Sequence, residues 1–219
     1  MAYFQELPNI SQPSLLPRSN KVEDRIIVKN IFKRAKLRED VDQAITAFNY
    51  YQIEDGMRPD MVAQKLYDDP ELDWVVLTSN NIINVRDQWP LSNNDLHAHV
   101  LEKYGSEENV LGIHHYETRE ILDEYRRIII PAGLQVDANF TFKYKNYSNR
   151  EILVRPAVAV TNYDYEIKLN DEKRRIKVLR PEYLNTYITD HREIMEYDES
   201  SDFIAKRLKG TYNPRLSGV

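Results

Sequence analysis

With no cysteine in the chain, any chemistry here has to come from histidines, carboxylates and hydroxyls. The densest group is His114-His115-Tyr116-Glu117, where imidazoles and a carboxylate offer ligands to a metal ion. Adjacent residues of a regular strand point to opposite faces, which keeps His114 and His115 from sharing one ion, and no third ligand is spaced to help. His97 and His99 stand two apart in an expected helix and are separated in the same way. Asp55 with Asp60, Asp68 with Asp69, and Asp123 with Glu124 are carboxylate pairs of the type a glycosidase sets across a cleft. Each lies where turns and helix caps use acids. The 6 glycines are scattered, so there is no phosphate-cradling loop, and there is no Gly-x-Ser-x-Gly elbow. The basic run of Lys173, Arg174, Arg175, Lys177 and Arg180 is short and flanked by Asp171 and Glu182, as on a solvated, ion-pairing face. The sequence therefore predicts no catalytic residue, no cofactor and no metal site.

The elements around these residues are clearest over residues 49–84, which read as strand, turn, helix, turn, helix, strand. Tyr50, Tyr51 and Ile53 suit a half-buried pleated surface, and Glu54-Asp55-Gly56 is turn chemistry with Gly56 free to take positive φ. Pro59 fits a first helical position. Val62 with Leu66, and Ala63 with Tyr67, repeat at four residues and give that helix an apolar stripe. Asp69 caps a second helix opened by Pro70. Leu72, Val75, Val76 and Ser79 face inward there, and Trp74 and Leu77 widen the face, so Trp74 is expected to be buried. Asn80-Asn81 ends this helix, and Ile82-Ile83 is expected to supply the closing strand.

Before this unit, residues 1–20 hold Pro8, Pro13 and Pro17 and show little periodicity. Tyr3, Phe4, Leu7, Ile10, Leu15 and Leu16 are too many apolar groups for a solvated tail. An extended arm laid on this chain or on another is expected. Strand and helix both fit the pattern at residues 21–36, with a strand preferred at 25–30; residues 39–48 fit a short helix, although 46–53 also reads as the lead into the module's first strand. Beyond the unit, Ser92 caps a helix over 93–104 that Gly105 ends, and residues 106–160 read as a small antiparallel β region turning at Pro131-Ala132-Gly133. A brief strand is expected at 176–179. A helix then starts at Pro181, with Leu184, Tyr187, Ile188, His191, Ile194 and Met195 at three- and four-residue spacing, so its apolar face must be covered by something. The tail after Asp198 looks loosely held. The fold class is α+β, divided into an arm with a strand or helix (1–44), the βααβ module (45–90), a helix plus small β region (91–160) and a C-terminal strand, helix and tail (161–219).

The 219 residues, 42% hydrophobic, suffice for a real core. With 30 Lys and Arg against 35 Asp and Glu, the net charge is -5, and no global basic field recommends a nucleic-acid partner. No apolar run has the length to cross a bilayer, and the first residues lack the regions of a signal peptide, so a chain made in a cytoplasm, with no membrane partner, is expected. The 15 tyrosines point towards protein contacts, where a large ring with a polar tip is favoured. Tyr3, Phe4 and Leu7 of the arm, and Leu184, Tyr187, Ile188, Ile194 and Met195 of the last helix, are the candidate interface residues.

The βααβ order, the Tyr-x-Ile strand and the Asn-Asn-Ile ending resemble the LysM fold, a module known for binding peptidoglycan and chitin. The turn reads Asp55-Gly56 where LysM sequences typically carry Gly-Asp. A longer pattern of Gly56, Arg58, Pro59, Ala63, Leu66, Tyr67, Pro70, Leu72, Trp74, Val75, Leu77 and Asn80 is similar to the baseplate wedge protein 53 family of contractile-tailed phages, whose members contain a LysM-like domain. The charged stretch from Leu169 to Leu179, followed by the helix at Pro181, resembles that family's C-terminal part. The resemblance implies a structural subunit of the virion's tail baseplate, assembled in the host cytoplasm, with other baseplate wedge proteins as partners and no small-molecule substrate. A peptidoglycan-binding LysM protein, or a cell-wall glycoside hydrolase carrying a LysM unit, is the alternative.

Overall fold

The computed structural model describes residues 2–14, 25–36 and 46–211. Most of the helix expected at 39–48, and Leu15 and Leu16 of the arm, lie outside the described residues. The chain forms two compact units, one of Met1–Trp89 with Arg175–Val219 and one of Pro90–Arg174.

The first unit is built on the βααβ order, with one rearrangement. Strand Phe48–Gln52 pairs antiparallel with Arg175–Leu179, Phe48 opposite Leu179 and Gln52 opposite Arg175. The expected closing strand at Ile82-Ile83 is thus corrected, since the strand that pairs with Phe48–Gln52 comes from more than 120 residues further along the chain. Local acceptors explain why Ile82-Ile83 stays out of the sheet. Asn81 takes a left-handed φ of 53°, Ile82 N–H returns to the Leu77 carbonyl, and Gln88 Oε1 accepts from the N–H groups of Ile83 and Asn84 at 2.7 and 2.8 Å. Asn84 then caps the short helix Val85–Gln88.

Two helices cover the strand pair. Helix Pro59–Tyr67 opens on proline and stops at Asp68, whose φ of 58° is left-handed. Asp69 accepts from Glu71 N–H and starts the 3-10 turn Pro70–Leu72, which leads into helix Asp73–Ser79. Between these helices and the strands lie Phe48, Ile53, Val62, Ala63, Leu72, Trp74, Val75, Val76, Ile176, Val178 and Leu179, together with Trp89 and Ile188. Burial of this apolar surface is the main stabilising term of the unit.

The N-terminal arm lies on its own chain. One helical turn, Tyr3–Glu6, is followed by strand Asn9–Pro13. That strand pairs antiparallel with Arg25–Lys29 and parallel with Leu208–Gly210, and Phe203–Ala205 completes a four-stranded sheet. The loosely held tail expected after Asp198 is corrected over residues 203–210, because the arm's backbone supplies a partner strand that the tail's own pattern does not reveal. The last helix, Leu184–Ile194, packs Leu184, Tyr187 and Ile188 against the main core. Met195 joins Leu7 and Ala35 in a smaller cluster.

In the second unit, helix Asn93–Tyr104 is capped by Ser92 and ended by Gly105 at φ 80°. Helix Asn162–Arg174 packs beside it. Leu96, Val100 and Val110 form the core there, with Leu91, Leu101, Tyr104, Tyr163 and Ile167 around them. Residues 113–161 carry the expected antiparallel β region. Strand Ile113–Thr118 pairs with both Ala157–Thr161 and Gln135–Val136, and two further hairpins join Ile121–Leu122 to Ile128–Ile130 and Phe142–Lys145 to Glu151–Val154. Gly133 makes its turn with φ 84°.

Candidate functional site

Most of the residues in the 56–80 pattern hold the first unit together. Asn80 is the centre of this arrangement. Its Nδ2 donates to the carbonyls of Val76 at 2.8 Å and Lys177 at 2.7 Å, while its Oδ1 accepts from Lys177 N–H at 2.8 Å. Lys177 sits opposite Tyr50 in the strand pair. Asn80 thus continues the sheet on the open side of Arg175–Leu179, as an amide group that mimics a neighbouring strand. Tyr67 contributes from the other helix, its hydroxyl donating to the Leu179 carbonyl at 2.9 Å. Burial pushes the Tyr67 phenol up well beyond its ordinary range, so it remains a donor at any working pH.

The other members have local reasons. Gly56 turns with φ 70°. Pro59 and Pro70 open their helices. Ala63 and Val75 are fully buried, Leu72 nearly so, and Leu66 and Leu77 pack at the margin of the core. Trp74 is 3% exposed. Its ring lies 4.6 Å from His191, 6.0 Å from Tyr3 and 6.2 Å from Tyr187 between centroids. Arg58 is the exception, an exposed side chain whose guanidinium meets Asp60 at 2.7 Å.

The candidate interface residues divide by burial. Leu7, Ile188 and Met195 are buried within the chain, and Tyr3, Leu184 and Tyr187 are packed against its core. Leu7, Ile188 and Met195 are thus covered within the chain, while Tyr3, Leu184 and Tyr187 stay half-buried. Tyr187 also donates to Thr78 Oγ1 at 2.8 Å. Phe4 and Ile194 remain exposed. Glu6, on the turn beside them, is clamped by Arg192 at 2.7 and 2.8 Å. Those hydrogen bonds hold its carboxyl below the usual range against the opposing effect of burial.

The histidine pair also needs a correction. His114 Nδ1 lies 2.8 Å from His115 Nδ1, and His115 Nε2 lies 2.9 Å from Glu117 Oε1. The strand is irregular at this point. Val160 pairs with His115 but Thr161 pairs with Ile113, leaving His114 as an extra residue. A bulge re-aims a side chain, which is how two neighbours come to face each other. His114 stacks on Tyr165 at 4.0 Å. Lys168 and then His115 hydrogen-bond Glu117 and hold its carboxyl low. Among the described residues no group of three or more His, Asp or Glu is arranged to hold a metal ion.

The carboxylate pairs serve turns and caps. Asp60 is held by Arg58, and Asp69 caps a helix. Asp123 accepts from Tyr125 N–H and Arg127 N–H at 2.8 Å each, and from Arg127 Nε at 2.6 Å. It shapes the tip of a hairpin. Beside it a cleft of about 360 Å³ is lined by Tyr125, Tyr144 and Tyr147, and Glu124 there accepts from Asn146 Nδ2. Sequence reasoning did not find this cleft, because its two sides come from separate hairpins.

A family model described as base plate wedge protein 53 matches residues 14–194. The chain belongs to the base plate wedge protein 53 family. It is also similar to the baseplate wedge protein gp53 of Enterobacteria phage T4, at 23% identity over 192 residues, covering 84% of this chain and 91% of that protein. The matched span reaches from the arm to the last helix, so it takes in both strands of the paired sheet, the Asn80 clasp and the whole of the second unit.

Proposed function

We propose that this chain, a structural subunit of the baseplate wedge, joins neighbouring wedge proteins as a contractile tail is assembled, and that it acts by protein contact without catalysis. The match to the wedge protein 53 family over residues 14–194 carries this reading. Two features of the molecule support it. The most recognisable pattern in the sequence is committed to closing the fold, with Asn80 and Tyr67 bound to backbone of the same unit. Large apolar side chains stay exposed in both units, among them Phe4, Phe32 and Ile194 in the first and Ile128, Tyr147 and Leu153 in the second. Scattered apolar exposure is ordinary, but a Phe32 that is 90% exposed and a cleft lined by three tyrosines suit contact with other subunits.

In this reading the partners are other wedge proteins, the location is the baseplate of the virion, and assembly takes place in the host cytoplasm. No nucleic acid, membrane, cofactor or small molecule has a role. No described helix is long and apolar enough to cross a membrane. Gel filtration of the purified wedge proteins, alone and mixed, tests the proposal. Co-elution of this chain with at least one of them is expected, and a chain that co-elutes with none overturns it.

A further inference from the structure

The four-stranded sheet of the first unit runs in the order Phe203–Ala205, Leu208–Gly210, Asn9–Pro13, Arg25–Lys29. Arg25–Lys29 is therefore an edge, and among the described residues no strand lies on its outer side. The direction of its backbone groups follows from one bond. Asn30 N–H donates to the Pro8 carbonyl at 2.8 Å, and antiparallel ladders alternate, so Val28 and Ile26 also turn their groups inward to Asn9–Pro13. Ile27 and Lys29 must turn theirs outward. The Lys29 carbonyl is taken by Ile31 N–H, which leaves the Ile27 N–H and C=O and the Lys29 N–H facing out. Unpaired groups on an edge strand are a template for another strand.

Apolar side chains are exposed along this edge. Ile27 is 64% exposed, and Ile26, Ile31 and Phe32 are exposed beside it. Natural edges are commonly protected by proline or by charge; here the charge sits at the two ends, Arg25 and Lys29, and the centre of the strand is apolar. Arg25 and Lys29 flank Ile27 and bind neutral oxygens. Arg25 donates to Ser11 Oγ at 2.9 Å, to the Ser11 carbonyl at 2.7 Å and to the Thr211 carbonyl at 2.9 Å. Lys29 donates to the Leu7 carbonyl at 2.9 Å. Neither meets a carboxylate among the described residues, so an acidic chain presents two cations along this edge. A second copy is a poor occupant, because antiparallel self-pairing about Ile27 would set Arg25 opposite Lys29, and like charges directly opposite are destabilising.

We propose that the outer edge of Arg25–Lys29 takes up an extended segment of another protein subunit as a fifth strand of this sheet, a segment in which apolar residues alternate with Asp or Glu. This deepens the wedge reading and rests on it. Main-chain bonds to Ile27 and Lys29 supply the attachment. Carboxylates on the face of Arg25 and Lys29, and apolar residues against Ile26 on the opposite face, supply the choice of partner.

The full chain, mixed with the remaining wedge proteins of the same phage and isolated as the co-eluting complex, is compared with the chain alone by amide hydrogen exchange at single-residue resolution. Exchange at Ile27 and Lys29 is expected to slow by at least about tenfold on assembly, with Val28 unchanged because it is already paired. Ile27→Pro removes only an outward donor and is expected to fold yet to enter the complex about tenfold more weakly, while Ile27→Ala enters as the native chain does. Should Ile27→Pro misfold, exchange in the native chain decides. A complex that forms with Ile27 unprotected overturns the fifth strand and leaves the wedge reading standing. Protection that appears in the chain alone and grows with its concentration points to a second copy. Protection lost on nuclease treatment points to nucleic acid. Either result overturns the proposal. Absence of any complex removes the wedge reading first and this proposal with it.

Discussion

Replacing Asn80 by alanine tests whether the module is closed by an amide clasp. The substitution removes one acceptor and one donor that Lys177 uses, at 2.8 and 2.7 Å. The Val76 carbonyl is less affected, because it lies within a helix. The Lys177 N–H loses its Asn80 acceptor, while its carbonyl keeps the longer bond from Ser79 Oγ at 3.4 Å. At about 1–1.5 kcal/mol for the first and less for the second, the expected cost is about 2 kcal/mol. Urea unfolding followed by tryptophan fluorescence reports on the right unit, since Trp74 and Trp89 both belong to its core. With a slope of roughly 2 kcal/mol per molar, the midpoint should fall by about 1 M. Asn80→Asp keeps the acceptor for Lys177 N–H but sets a carboxylate oxygen against two carbonyls, so it should be at least as damaging. Arg58→Ala, which breaks an exposed ion pair, should leave the midpoint where it was. An Asn80→Ala midpoint indistinguishable from that of the native chain would refute the clasp.

Trp74→Ala should cost about 3–5 kcal/mol through lost burial and a cavity beneath Tyr3, Tyr187 and His191, read by urea unfolding with Trp89 as the remaining fluorophore. His191 is buried with no hydrogen-bond partner on either ring nitrogen among the described residues, and burial holds its pKa below 6.5 while Glu6 opposes and Arg207 and Arg192 reinforce that shift. The unfolded chain takes up this proton first, so the stability it reflects is complete above about pH 6.5 and is lost as pH falls towards the folded value. His191→Phe should flatten the pH dependence of the urea midpoint just below 6.5, and an unchanged slope would contradict this. Glu6, held low by Arg192, adds a second loss that begins as pH drops through about 4.5. Asn170→Ala removes the acceptor of the Leu91 N–H and one donor to its C=O, at 2.8 and 3.0 Å, and hydrogen exchange at Leu91 should accelerate while Trp74 and Trp89 fluorescence stays as it was.

Local punctuation made the first half of the module legible. Pro59, the Asp69-Pro70 pair and Gly56 each fix a backbone position wherever they occur, so turns and helix starts could be read without knowing the fold. The closing strand could not, because strand pairing depends on which segment arrives at the edge. Ile82-Ile83 has strand composition but sits beside Asn84 and Gln88, whose side chains capture its N–H groups. Helix Asn162–Arg174 was hidden for a different reason. Its inward stripe includes Glu166, Asn170 and Arg174, all buried, where an apolar stripe is the usual signal. Burial raises the cost of the Glu166 charge, but hydrogen bonds from Lys103 at 2.6 Å and Tyr104 at 3.1 Å prevail and hold its carboxyl low. The resting place of the arm was open for the same reason as the closing strand. Its partner, Leu208–Gly210, is almost 200 residues away in the chain. That Leu7, Ile188 and Met195 are covered by this chain itself was not legible, because an apolar stripe reports that a face is covered without saying by what.

The central claim is that this chain is a wedge subunit whose fold is closed between Phe48–Gln52 and Arg175–Leu179 and whose contacts are with other proteins of the baseplate. An electron cryo-microscopy reconstruction of the assembled baseplate tests it most directly. Density for this strand pair is expected within every wedge, with neighbouring subunits against its exposed surface. A complete baseplate with no density for this chain in any wedge would contradict it.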